Sequence, residues 1–198
     1  MTAHEKPKRA RSVRERLLDA ADELFHAEGV QSVGIDRVIE HAGVAKMSLY
    51  RTFGSKEDLV AAYLARRHES IRDQILQAIG EQSEPRARLL AVFDTQARWL
   101  RRPTYRGCSF TRASAEPSAG EKVHHETDLY RADIHAILTH LAAEAGSPDP
   151  DRLGTQLFLL YHGASITAKT EHLSVILTAL RAAVESLVDI SLSERHTP

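Results

Sequence analysis

Apolar residues recur at three- and four-residue spacing along most of this chain, and the pattern breaks where glycine, proline and serine cluster. That spacing lines side chains along one face of a helix, so each unbroken run predicts an amphipathic helix. The first run, Val13, Leu17, Ala20, Leu24 and Phe25, follows a capping box, Ser12-x-x-Glu15, and stops at Gly29. A short second helix opens at Gly34 or Asp36, turns Val38, Ile39 and Ala42 inward and ends at Gly43. A third spans about 46–53, with Leu49 and Phe53 at i, i+4 on its inner face. Ser55-x-x-Asp58 caps a fourth, striped by Leu59, Val60, Tyr63, Leu64, Ile71, Ile75 and Ile79 to about residue 80.

The fifth run starts at Pro85, a good first-turn residue, and reaches Pro103. "TYRGCSFTRASAEPSAG" is broken, with a short helix near 108–115. Ser118-x-x-Glu121 is expected to cap a seventh helix that Gly146 ends. An eighth runs from Pro150 to about 169 and a ninth over about 173–191. No alternating Val/Ile/Thr run argues for a strand. The prediction is an all-α protein of about nine helices: a disordered basic arm over 1–11, a three-helix head over 12–56, helix four (56–80) as connector, and a larger helical body over 81–198.

Composition sharpens this. At 42% hydrophobic and 6% aromatic, the chain can build a core from Leu and Ala more than from rings. No apolar stretch approaches the ~18 residues that would suggest a membrane span, and the N-terminus lacks the apolar segment of a signal peptide. With Cys108 the single cysteine, the expectation is a soluble cytoplasmic protein. Net charge is −1 overall but +4 over residues 1–16 and −3 over residues 73–198. A basic end on a mildly acidic body suits contact with a polyanion; a merely solvated tail has the same composition.

The window 35–54 has the form of a helix-turn-helix. Val38, Ala42, Val44 and Leu49 fill the contact positions, and Gly43 occupies the turn position that needs positive φ. If Leu49 and Phe53 face inward, then Met47 and Arg51 face outward with Ser48 and Tyr50 beside them. Such a face suits a DNA major groove, with Arg51 reading a base bidentately and Ser48 and Tyr50 bonding phosphates. Lys46 lies at the start of this reader, Lys56 with the first amides of helix four makes a second anion site, and Arg37 is a further phosphate contact.

The segment "GVQSVGIDRVIEHAGVAKMSLYRTFGSKEDLVAAYL" resembles the N-terminal domain of the tetracycline-repressor (TetR-like) family. Gly29, Ala42-Gly43-Val44, Leu49-Tyr50, Phe53 and Ser55-Lys56-Glu57 match that family's motif in order and spacing, over about residues 12–65. "RGCSFTRASAEP" resembles a Gly-Cys-x-Phe segment of the ligand domain of some members. The chain departs from the pattern at Gly34, where the family usually has Thr or Ser, at Ile39, usually Ala, and at Thr52, often His, Tyr or Asn. The resemblance implies a homodimer joined through the last two helices, a palindromic operator, and an effector pocket among helices four to eight.

The residues of the body agree. Helix nine is apolar on more than one side, and "QLFLLYHGA" on helix eight has the same excess, so Leu157, Leu160, Leu177, Leu180, Val184 and Leu187 are expected at a two-fold interface. Trp99, Tyr105, Cys108, Phe110, Tyr130, Tyr161 and His162 are the candidate pocket walls, although each also suits plain core. Cys108 is either a redox sensor or an inert apolar thiol. Of the eleven histidines, His124 and Asp128 at i, i+4 could share a metal, but two ligands fall short of a zinc site and the expectation is no metal and no cofactor.

The expected function is therefore a ligand-responsive transcriptional regulator, a repressor that binds double-stranded DNA as a homodimer and leaves it on binding a small molecule. An activator, or a regulator answering to a protein partner, fits the same residues. A metal-binding enzyme built on the histidine-rich body is the more distant alternative; the sequence holds no nucleophile elbow, HExxH, phosphate loop or GxGxxG, and no enzyme is expected.

Overall fold

A computed structural model of the protein describes residues 11–169 and 172–194. The expected basic arm, Arg11 apart, and the polar tail beyond Glu194 lie outside these residues. The described chain forms α1 (Val13–Glu28), α2 (Ile35–Ala42), α3 (Lys46–Phe53), α4 (Lys56–Gly80), α5 (Pro85–Leu100), α6 (Ser109–Ser114), α7 (Glu121–Ala145), α8 (Pro150–Thr167) and α9 (Leu173–Ser193). It holds no strand, and none of its helices is long and apolar enough to cross a membrane. It divides into two compact units between Tyr63 and Leu64, inside α4.

The first unit packs α1 against α2 and α3. Leu17, Val38, Leu49 and Leu59 are fully buried there, and the rings of Phe25 and Tyr63 meet edge to face at 5.6 Å. Each such aliphatic side chain stabilises the unit by about 1.5–3 kcal/mol relative to exposure. This long-range burial holds α2 and α3, each 8 residues and too short to persist alone. The predicted capping box on α1 is present: the Glu15 amide donates to Ser12 Oγ at 3.2 Å and the Ser12 amide donates to Glu15 Oε2 at 2.7 Å.

In the second unit α7 packs on α5, α6 and α8, and α9 packs on α8 and α5. Ile134, Leu138, Leu157, Val184 and Val188 form the middle of its core. Bridges fasten its rim: Arg86 to Asp189 at 2.6 and 2.9 Å, Arg88 to Glu144 at 2.7 Å, Arg152 to Glu194 at 2.7 Å. The seventh helix begins later than the expected Ser118 box. Its N-cap is Gly120, with no side-chain cap, because a turn through Ala119 intervenes, its amide bonded to the Glu116 carbonyl at 2.9 Å.

The expected partner surface needs correction. Leu157, Leu177, Leu180 and Val184 are buried in the chain's own core, and Leu160 and Leu187 are half-buried. The strongest apolar stripe on each helix is the one that faces the chain's own core. A second stripe lies exposed: Leu159 and Ile166 flank Gly163 on α8, and Val175 and Ile190 flank Ala179, Ala182 and Ser186 on α9.

Candidate nucleic-acid interface

The turn between α2 and α3 is made by Gly43, in the left-handed region at φ 61°. It closes α2 with two crossed bonds: the Gly43 amide donates to the Glu40 carbonyl at 3.0 Å and the Val44 amide to the Ile39 carbonyl at 3.2 Å. A residue that sequence reasoning passed over holds this turn from outside: Arg16 of α1 donates from Nη2 to the Gly43 carbonyl at 2.6 Å. Nothing in the pattern marks Arg16, because a cation on an exposed helix face reads as solvated. Arg14, two residues earlier, lies over the Phe53 ring at 5.7 Å, so the half-buried end of α3 is closed by a cation rather than by more core.

Leu49 anchors the inner face of α3 and is fully buried. Met47 is 73% exposed and Tyr50 39%. Arg51 is exposed too, and no hydrogen bond or ion pair holds it among the described residues. Met47, Tyr50 and Arg51, at i, i+3 and i+4, share one side of the helix. Ser48 is half-buried beside them, and its carbonyl accepts the Thr52 hydroxyl at 2.6 Å. No side chain caps α3 at Ala45 or α2 at Gly34.

The outlying cations are in different states. Lys46 is fully exposed and bridges to Asp36 on α2 at 2.8 Å; that carboxylate raises the ammonium pKa, chiefly through the hydrogen bond. Arg37 makes a two-pronged pair with Glu28, at 2.5 and 2.8 Å. Lys56 is engaged within the head: its Nζ donates to the Val30 carbonyl at 2.8 Å, in a partly buried position. It ties the α1–α2 connection to the start of α4, and the adjoining Asp58 amide is capped by Ser55 Oγ at 3.1 Å. The sequence could not show these engagements, because each pairs residues from different elements.

One consequence is testable. A solvent-exposed bridge such as Lys46–Asp36 is weak, and a phosphate can replace its acid. Asp36→Asn removes that competitor and one negative charge beside the reader. Fluorescence anisotropy at low salt is expected to show several-fold tighter binding to every duplex tried, fading at high salt. Weaker binding would mean that the bridge orients the reader.

In the second unit, six of the seven candidate pocket residues come together. Phe110 stacks on Tyr130 at 3.9 Å, Tyr130 meets His162 edge to face at 6.1 Å, and Tyr161 meets His162 at the same distance. Cys108 and Tyr105 lie within electrostatic reach of Tyr130 and Tyr161. Burial raises the phenol pKa values of all three tyrosines, and burial followed by the charge of Arg131 lowers that of His162. Trp99, the seventh, is engaged with α4 through Nε1 and Gln74 Oε1 at 2.9 Å. Two polar atoms near the group, Gln96 Oε1 and His162 Nε2, are buried without a partner. Among the described residues no three histidine, cysteine, aspartate or glutamate side chains are placed to hold a metal.

Residues 17–63 match the family profile described as bacterial regulatory proteins, tetR family. The fold matches the crystal structure of SCO4454, a TetR-family transcriptional regulator from Streptomyces coelicolor, with TM-score 0.85 and 32% identity over 91% of this chain and 96% of that one. The chain belongs to the TetR family. Membership places it among helix-turn-helix transcription regulators and not among enzymes.

The TetR-family chain is also 31% identical over 136 residues to Rv1255c, an uncharacterised helix-turn-helix transcriptional regulator of Mycobacterium tuberculosis, spanning 69% of this chain and 64% of that protein. It is 36% identical over 81 residues to the transcriptional activator FasR of Mycolicibacterium smegmatis, spanning 41% of this chain and 37% of FasR. The chain thus spans less than two thirds of the length of these curated relatives.

Proposed function

We propose that this TetR-family protein is a cytoplasmic repressor that binds a palindromic operator as a homodimer and releases it when a small molecule occupies the body. One observation carries the DNA-binding part: the outward side of α3 presents Met47, Tyr50 and an unengaged Arg51 to solvent, while the fully buried Leu49 anchors the inner face. In this reading Arg51 contacts a base, Met47 packs on a base edge, and Ser48, Tyr50 and Lys46 hold phosphates. Arg37 and Lys56 support the scaffold rather than the nucleic acid. The relation to the activator FasR favours a second reading, in which the same contacts recruit transcription instead of blocking it.

The dimer rests on the exposed stripe of α8 and α9. Leu159, Ile166, Val175 and Ile190 are each more than half exposed, and the small residues between them let a partner helix approach closely. Two readers about one DNA turn apart, ~34–36 Å, match two half-sites. Effector binding in the aromatic group of the body would shift the population away from that spacing.

The test is selection from random duplexes, followed by light scattering and anisotropy on the selected site. The expected result is an inverted repeat bound by two chains, with affinity falling steeply as salt rises. Val175→Glu is expected to leave a folded chain of half the mass whose operator affinity is at least tenfold lower. A selected site without two-fold symmetry would overturn the dimeric mode of binding, and a Val175→Glu protein of unchanged dimer mass would remove the exposed stripe of α9 from the interface.

A further inference from the structure

Beside the aromatic group, with which it shares Tyr105, the second unit contains a cationic concavity. The segment after α5 turns sharply: the Arg102 amide donates to the Trp99 carbonyl at 3.0 Å, and the Tyr105 amide to the Arg102 carbonyl at 2.9 Å. These turns bring Arg101, Arg102 and Arg106 to one rim, and Lys169, just past α8, stands at the same cavity. Gly107 makes the approach possible. Its φ is 98°, and a Cβ there would lie 2.6 Å from Lys169 Cε. Any other residue would push the lysine stem away.

The cavity measures about 450 Å³, within the usual range of about 300–1,000 Å³ for small-molecule sites. Leu100 and Ala168 are buried in its wall, and Pro103 and Leu173 extend the apolar lining. Tyr105 is held in place by its hydroxyl, which donates to the Ser165 carbonyl at 2.7 Å. Among the described residues none of those lining the cavity is acidic. Arg101, Arg102 and Lys169 have no side-chain partner among the described residues, and Arg106 donates only to the Pro103 and Tyr105 carbonyls. Elsewhere in this unit Arg86, Arg88, Arg152 and Arg181 each meet a carboxylate. Four cations with no described acid among them repel one another, and an anion placed among them relieves that repulsion.

We propose that this concavity binds a small organic anion with an apolar body, its carboxylate or similar head held by Arg102, Arg106 and Lys169 and its hydrocarbon part lying on Leu100, Ala168 and Tyr105. Guanidinium groups match a carboxylate in two-pronged geometry, and the apolar lining rewards a hydrocarbon that a bare anion lacks. The binding itself does not depend on the regulatory reading; only a link between occupancy and DNA release would rest on it.

The full chain is titrated, without DNA and at low salt, with octanoate, octanamide and inorganic phosphate. Emission of Trp99 reports, since it is the single tryptophan and adjoins Leu100. Octanoate is expected to saturate and to bind at least tenfold more tightly than either comparison. Equal binding of octanamide would reduce the site to an apolar patch, and equal binding of phosphate to a bare cationic rim; either result overturns the proposal, as does no saturation by octanoate. The exposed pair Arg102→Gln/Arg106→Gln should lose at least tenfold in octanoate affinity, and Arg152→Gln, at the other end of α8, should lose none. If the double variant melts abnormally, Lys169→Gln decides: a loss of affinity supports the site and unchanged affinity overturns it.

Discussion

Arg51→Ala is expected to lower operator affinity by about 2–6 kcal/mol, since each two-pronged base contact discriminates by about 1–3 kcal/mol and a dimer makes two. In the proposed reading Arg51 is favoured for base contact because the neighbouring cations are engaged within the head. Arg37 is held by Glu28, Lys46 by Asp36, and Lys56 by the Val30 carbonyl. Arg51 is exposed on α3, with Met47 one turn before it, and nothing in the described chain competes for its guanidinium. The loss should therefore be specific. Across single-base variants of the selected operator, measured by anisotropy, the variant should flatten the preference at one position in each half-site and keep the others. Arg37→Ala should change affinity little. If Arg51→Ala instead weakens every duplex by the same factor, Arg51 contacts phosphate and another residue reads the base.

The second large effect concerns the body. Gly154→Val is expected to destabilise the protein by about 3 kcal/mol, the upper end of what overpacking costs. That corresponds to a fall in Tm of roughly 6–12 °C for a chain of this size. Gly154 sits in the second turn of α8, where propensity alone would say that replacing glycine helps by up to about 1 kcal/mol. The packing reverses the sign. A Cβ at Gly154 would lie 2.8 Å from the Thr139 Cα of α7 and 3.0 Å from its Cβ, so backbone must move. Gly163, on the same helix, has nothing within 4 Å of its added Cβ. In the monomeric Val175→Glu background Gly163→Ala should raise Tm slightly while Gly154→Ala lowers it. Two substitutions of one kind in one helix would then differ in sign, as read by thermal unfolding. If Gly154→Ala also raised Tm, the close α7–α8 contact would not exist in solution.

Much of the head was legible because its signals are local. Ser12 and Glu15, Gly29 and Gly43 mark ends through interactions within a few residues, and Leu49 and Met47 declare opposite faces by spacing alone. The Ser118 box failed for the complementary reason: a motif of cap residues does not say whether the chain continues in helical conformation, and here it turns first. At the interface of α8 and α9, periodicity ranked the residues by apolarity, and the most apolar ones, Leu157, Leu180 and Val184, went to the chain's own core.

By itself the sequence determined an all-α chain, the helix-turn-helix, and which side of α3 faces out, since helix periodicity and capping depend on neighbours in the chain. Only the tertiary structure decided which cations are available. Asp36 reaches Lys46, Glu28 reaches Arg37 and Val30 reaches Lys56 across turns, and four cations that meet no carboxylate among the described residues gather around one cavity. Such pairings depend on distances through space, and side chains far apart in the chain carry no mark of them until the helices pack.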